Sequence, residues 1–205
     1  MIVVSHFSLL SNKERVLAIK RLFIILMFLL CITIPCGAQE NATATIEGRN
    51  DVQWQLTGIL HASKGEFDLA IDAMNKAVQL VPKSAGVYNN RGRVYYQSGN
   101  FSKAMEDFNK SIEIDDKAPM VYNNRADVHY AKREYSQALT DYNKAFELEQ
   151  KLVREHFRAM FGQARSLDGL NQKKQAVKTY QEFLKIAPAD DPDRATAQQR
   201  IKALK

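Results

Sequence analysis

The chain has 205 residues, 45% of them hydrophobic and 25% charged, with a formal net charge of +6 and two cysteines. Both cysteines, Cys31 and Cys36, lie in the first 38 residues, so disulfides, thiolate catalysis and cysteine-ligated zinc are excluded from everything that follows. The length suits one domain after the start of the chain is set aside.

That start is a different kind of object. Lys13, Arg15, Lys20 and Arg21 precede an apolar run over residues 22–34, and Pro35, Cys36, Gly37 and Ala38 close it. A basic start, an apolar run too short to span a bilayer comfortably and small residues at the end predict a secretory signal over residues 1–38, cut after Ala38. An uncleaved anchor is the alternative, since the apolar stretch extends through Cys36. A lipoprotein cut before Cys36 is disfavoured by Thr33, Ile34 and Pro35. Under both main readings the positive charges stay inside, and the rest of the chain is expected to be exported, periplasmic or associated with the envelope. Residues 39–50 lack apolar periodicity and read as a short linker.

From Asp51 a 34-residue period sets in, with units over residues 51–84, 85–118 and 119–152 and a fourth, four residues late, over about 157–190. The fourth place is large: Trp54, Tyr88, Tyr122, Met160. The eighth is small: Gly58, Gly92, Ala126, Ala164. The twentieth is always alanine (Ala70, Ala104, Ala138, Ala176), and the twenty-fourth is bulky (Met74, Phe108, Tyr142, Tyr180). Small places opposite large ones predict two interdigitating antiparallel helices per unit. Gly65, Gly99, Arg133 and Asn171 fall at the turns, where a left-handed residue is expected and Arg133 fits least well. Pro82 and Pro188 break the chain after the second helices, with Asp116 and Gln150 as weaker substitutes. The fourth unit departs from the pattern with Lys173 where Phe67, Phe101 and Tyr135 stand, and Phe183 where Ala77, Ser111 and Ala145 stand. In residues 191–205, Ala197, Ile201 and Leu204 recur at helical spacing and predict a helix that caps the last unit.

This pattern resembles the tetratricopeptide repeat over about residues 51–188, which implies an all-α helical solenoid that binds proteins. Tyr88-Asn89-Asn90-Arg91 recurs as Tyr122-Asn123-Asn124-Arg125 on successive first helices. In the family the corresponding face lines a concave groove, so the resemblance implies a partner site made of Asn89, Asn90, Arg93, Tyr96, Asn123, Asn124, Asp127 and Tyr130. The sixth-place Asn90 and Asn124 resemble the asparagine row with which some members hold a peptide backbone, a task a carboxamide suits because it both donates and accepts. The same residues can equally bond a neighbouring helix, and Leu56 and Gly162 replace them in the outer units. The family's dicarboxylate clamp is not matched. In its first window Gln55, Ile59, Met120 and Asn124 do not fit and Asn90 alone does. In the next, Arg158 fits one basic place, but Asn89, Arg93 and Gly162 do not.

Chemistry is sparse. His61 and His129 share the eleventh place two repeats apart and are expected to be packed and hydrogen-bonded rather than metal ligands, while His156 has no obvious partner. Asp190, Asp191 and Asp193 are expected to supply helix caps. No calcium loop, phosphate loop or nucleophile elbow occurs, so neither catalysis nor a cofactor is expected. Residues 39–150 carry 13 basic against 16 acidic side chains and residues 151–205 carry 12 against 6. The basic residues of that tail are spread around helices that also carry acids, without an aromatic platform, so nucleic acid is not the expected partner. The expected function is recognition of a protein or peptide partner in the groove. The alternative is a structural subunit of an envelope secretion or uptake complex that uses its convex face or the basic C-terminal helix, with the membrane touched only through an uncleaved signal.

Overall fold

The computed structural model of the chain describes residues 50–148 and 153–205. The signal and nearly all of the linker, with the turn at Gln150, lie outside the described residues. Among the described residues there are nine helices and no strand: α1 (Asp51–Ser63), α2 (Phe67–Leu80), α3 (Ala85–Gln97), α4 (Phe101–Ile114), α5 (Pro119–Ala131), α6 (Tyr135–Leu148), α7 (Val153–Gly169), α8 (Lys173–Ile186) and α9 (Arg194–Leu204). None is long and apolar enough to cross a membrane. Consecutive helices pack in antiparallel pairs, and the first helices α1, α3, α5 and α7 also touch in succession, so the chain is a helical solenoid.

Local chemistry starts and stops these helices where the period requires. Asn50 and Gln53 close a capping box around α1, each side chain accepting from the other's backbone N–H (2.9 and 3.1 Å). The Asn100 side chain accepts from the Lys103 N–H to start α4, and Pro119 occupies the first turn of α5, where its missing N–H costs nothing. At the turns Gly65 (φ 76°), Gly99 (φ 80°), Arg133 (φ 63°) and Asn171 (φ 59°) are all left-handed. Arg133 is thus held in a conformation that carries a penalty of about 1–2 kcal/mol for a residue with a Cβ. The four extra residues before the fourth unit lengthen its first helix, since α7 has 17 residues where α1, α3 and α5 have 13.

The alanine of the twentieth place is fully buried in every repeat, and Met74, Phe108, Tyr142 and Tyr180 are buried beside it. A Cβ on Gly58 would come within 2.9 Å of Met74, and one on Gly92 within 2.7 Å of Phe108. The glycines are therefore the space into which the bulky residues fit. Phe183, out of pattern in sequence, is buried against Phe161 with ring centroids 5.4 Å apart. The last helix closes this end: Ala197 and Ile201 join Ala176, Tyr180 and Phe183 in one cluster. Arg194 donates to the carbonyls of Leu184 and Ala187 at the end of α8, and Arg200 holds Asp168 of α7 with two bonds of 2.7 and 3.0 Å.

A recurring ionic staple joins the middle repeats. Arg91 makes a two-pronged contact with Asp107 (2.8 and 2.7 Å) and donates to Asn75 of the preceding repeat (3.0 Å). Thirty-four residues on, Arg125 does the same with Asp141 (2.7 Å twice) and Asn109 (2.8 Å). The hydrogen bonds to Asp107 and Asp141 hold both guanidiniums more firmly protonated than usual.

The expectation that the acidic run caps α9 through a side chain is not met. Asp193, the residue preceding α9, makes no capping bond; instead the Asp191 carboxylate accepts from the Asp193 N–H (2.9 Å) and closes a turn. Burial, then the Asp191 charge, pushes the Asp193 carboxyl above its ordinary value.

Candidate functional site

In α3 the residue one step past the large fourth-place aromatic faces the next repeat, and in both inner first helices the one after it bonds to the preceding repeat. Asn90 donates to Gln55 of α1 (2.8 Å), and Asn124 donates to Asn89 of α3 (2.7 Å). Asn89 in turn points its amide at the Met120 sulfur (3.9 Å). These carboxamides are rungs between successive first helices, which is the second of the two roles the sequence left open to them. The row ends at the fourth repeat because Gly162 stands where an asparagine would, and the Tyr142 ring fills that room, 2.3 Å from a Cβ placed on Gly162.

Beside the rungs lies a cavity of about 500 Å³. Its walls are Arg93, Tyr96 and Gln97 of α3, Phe108 of α4, Met120, Asn124 and Asp127 of α5 and Arg158 of α7. A smaller cavity of about 110 Å³ shares Arg93 and Gln97 and adds Ile59, Ala62, Asn90 and Val94. Of the residues expected at the site, Arg93, Tyr96, Asn124 and Asp127 are thus brought together, and Asn90 joins them through the smaller cavity. The other three are placed elsewhere. Asn123 has no exposed surface and Asn89 is buried as a rung, because the fifth place turns between helices rather than outward. Tyr130 lines a separate hollow of about 400 Å³ with Tyr135, Arg165, Asp168, Tyr180, Thr196 and Arg200.

The charges of the main cavity centre on Asp127. Its carboxylate accepts from Arg158, from Arg165 (3.2 Å) and from the Tyr142 hydroxyl, while Arg165 also donates to that hydroxyl (2.9 Å) and Arg158 to Asn124 (3.0 Å). Arg165 lies over the Tyr130 ring at 4.4 Å. Burial above all, and then the Asp127 charge, push the Tyr142 hydroxyl well above its ordinary value, so it remains a proton donor. Tyr96 is raised for the same two reasons. Sequence reasoning missed Arg165, read Tyr142 only as a bulky packing residue, and weighed Arg158 only against the clamp pattern.

The three histidines among the described residues are accounted for. His61 pairs with Glu66 (2.5 Å) and His129 with Glu134 (2.6 Å), the same five-residue step two repeats apart. His156 does have a partner: its ring stacks on Phe146 at 4.2 Å. Among the described residues no group of three or more His, Cys, Asp or Glu side chains could hold a metal ion.

Comparison with known proteins agrees with this architecture. One family model, described as TPR repeat, matches residues 58–99 and 92–133, and another, described as tetratricopeptide repeat, matches residues 123–191. Between them they take in well over half of the chain, which belongs to the tetratricopeptide repeat family. Among solved structures, the crystal structure of MamA is 22% identical (TM-score 0.62, 72% of this chain and 81% of that one). Pseudomonas aeruginosa pilF is 18% identical (TM-score 0.67, 75% and 67%). The first tetratricopeptide domain of Spaghetti (RPAP3), bound to the HSP90 peptide SRMEEVD, is 22% identical (TM-score 0.54, 60% and 94%). No curated protein matches the chain in sequence.

Proposed function

We propose that the protein is an exported interaction module that receives an extended segment or a helix of a partner protein in the groove between α3, α5 and α7. The observation that carries this reading is the cavity of about 500 Å³, because three successive first helices contribute to it an exposed guanidinium, a half-buried phenol, a thioether and a carboxylate. Such mixed chemistry in a concave site suits a peptide better than a small apolar molecule. The neighbour solved with a bound peptide supports the reading by analogy of fold. Recognition falls to Arg93, Tyr96, Met120 and Arg158, whereas the asparagines hold the wall in place. No reaction is assigned to the site. The test is titration of a partner crosslinked in the cell envelope and then purified. Arg93→Glu and Tyr96→Ala should each weaken binding by about ten-fold or more, while Glu106→Lys on exposed α4 should leave it unchanged. Equal binding by all three proteins rejects the groove.

A second reading, an assembly subunit, is favoured by one observation. Val52, Leu56, Ile59 and Leu60 of α1 form an exposed apolar stripe at the first end of the solenoid, away from the convex face and the basic tail where the sequence placed such a role.

Export rests on the basic, apolar and small order of residues 13–38. The mature protein is expected to begin at Gln39 by N-terminal sequencing. Recovery of a chain that retains residues 1–38 in the membrane fraction makes the segment an anchor.

A further inference from the structure

The hollow beside Tyr130 carries chemistry that the groove does not use. Its volume of about 400 Å³ falls within the range of small-molecule sites. Tyr180 of α8 lines it, although the residue is only 1% exposed, and the Tyr180 hydroxyl makes no hydrogen bond among the described residues. Burial above all, and then the Asp168 charge, push that phenol above its ordinary value, so it stays a proton donor. The hydroxyls of Tyr130, Tyr135 and Thr196 are likewise unbonded among the described residues. Asp168 and Arg200 hold each other by two bonds, yet the carboxylate keeps spare lone pairs and the guanidinium keeps its Nη1 donors. The walls are fixed in advance. A Cβ on Gly169 would come within 2.7 Å of the Tyr135 ring, so that ring rests on the α7 backbone, and Tyr180 packs on Phe161 with centroids 5.9 Å apart.

These features select a ligand. Both guanidiniums at the hollow already face carboxylates, Arg165 facing Asp127 and Arg200 facing Asp168, so an added anion meets no surplus positive charge. A cation finds its place over the Tyr130 ring taken by Arg165 at 4.4 Å. A flat ring needs a parallel slot, whereas the Tyr130 and Tyr135 rings stand 60° from parallel with centroids 5.4 Å apart. A neutral, puckered molecule rich in hydroxyls meets all three conditions, because its C–H groups pack against tilted rings while its hydroxyls both donate and accept. We propose that the hollow enclosed by α5 to α9 binds a neutral pyranose sugar, free or at the end of a glycan. The ring rests against Tyr130 and Tyr135, one hydroxyl reaches Tyr180, and a neighbouring pair of hydroxyls bridges Asp168 and Arg200. Thr196 bonds from the rim. The site is separate from the groove and needs no partner segment there.

The test uses the full chain labelled with 15N and the methyl glycosides of glucose, galactose, mannose and N-acetylglucosamine, each titrated through the millimolar range. At least one glycoside is expected to shift the backbone amide signals of Gly169 and Thr196 saturably and to leave that of Asn90 unmoved. Tyr180→Phe removes only a hydroxyl that bonds nothing among the described residues. Its melting temperature should therefore hold, while the same glycoside binds about three- to ten-fold more weakly. Thr196→Ala, at an exposed place on α9, should weaken binding about three-fold, and it decides alone should Tyr180→Phe fail to fold. Unmoved Gly169 and Thr196 signals with all four glycosides overturn the sugar site. Binding by Tyr180→Phe and Thr196→Ala equal to that of the unaltered chain overturns it as well. Larger shifts of the two signals by inorganic phosphate or by phenol than by any glycoside overturn the neutral sugar in favour of an anion or an aromatic ring. The matching trisaccharide distinguishes the sources: tighter binding than the methyl glycoside supports a glycan end, and equal or weaker binding supports a free sugar. None of these outcomes bears on the groove, which is judged by the crosslinked partner.

Discussion

Arg91→Ala is expected to lower the stability of the folded chain by about 3 kcal/mol, the range for removing one partner of a buried, two-pronged ion pair. The loss leaves the Asp107 carboxylate, whose side chain is only 6% exposed, without its guanidinium. It also cuts the bond to Asn75 and with it a tie between the first and second repeats. Asp107→Ala should be milder, because the freed Arg91 side chain is long enough to reach water. The double substitution should cost less than the sum of the two, since both remove the same pair. Urea unfolding followed by circular dichroism measures all three, and for a domain of this size the first should show a fall in melting temperature of roughly 10 °C. A loss within about 0.5 kcal/mol would falsify the staple as a stabilising element.

Gly162→Val is the second large effect. A Cβ at this position would sit 2.3 and 2.4 Å from two ring carbons of Tyr142, which has no exposed surface and no room to retreat. Overpacking of this kind costs about 3 kcal/mol, and the gain in helix propensity over glycine returns less than 1 kcal/mol of it. The displaced ring also withdraws its hydroxyl from Asp127 and Arg165, so the groove wall should lose order together with the core. Gly86→Ala is the matched control. Its Cβ would meet nothing nearer than the Ser84 hydroxyl at 3.9 Å, and the melting temperature should hold or rise. Equal melting temperatures for Gly162→Val and the unaltered chain refute the packing described for the third and fourth repeats.

The solenoid was legible because its period is carried by size, and size acts through contacts that recur every 34 residues. Ala104 and Phe108, or Ala138 and Tyr142, reveal their pairing without any knowledge of the fold. Arg133 and Asn171 could be placed at turns because glycine holds the same place elsewhere. The groove was harder to read. Asn90 and Asn124 recur as a recognition row would, yet recurrence cannot distinguish a residue that repeats because a ligand does from one that repeats because the neighbouring helix does. The staple left a signal that was available, since Asn75, Arg91 and Asp107 all recur 34 residues later as Asn109, Arg125 and Asp141. It was hidden by reading each repeat alone, when Asn75 serves the repeat after its own. The parts that Arg165 and the Tyr142 hydroxyl play at the groove could not be read at all. Tyr142 registers in sequence only as a bulky core residue, and nothing in that place announces that its hydroxyl reaches Asp127.

The two ends of the solenoid are not alike, and this limits what the molecule can build. Val94 and Val128, at the tenth place of the inner first helices, are buried against the preceding repeat, while Leu60 at the same place of α1 is 54% exposed, and Leu56 one turn earlier is 61% exposed. At the other end α9 covers Ala176 and Tyr180 and turns the exposed polar side chains of Gln198, Gln199 and Lys202 outward. Copies that stack head to tail need an open surface at both ends, and such a contact closes into a ring or grows into a filament. With α9 covering one end, head-to-tail addition of copies through α1 is expected to stop after a single event.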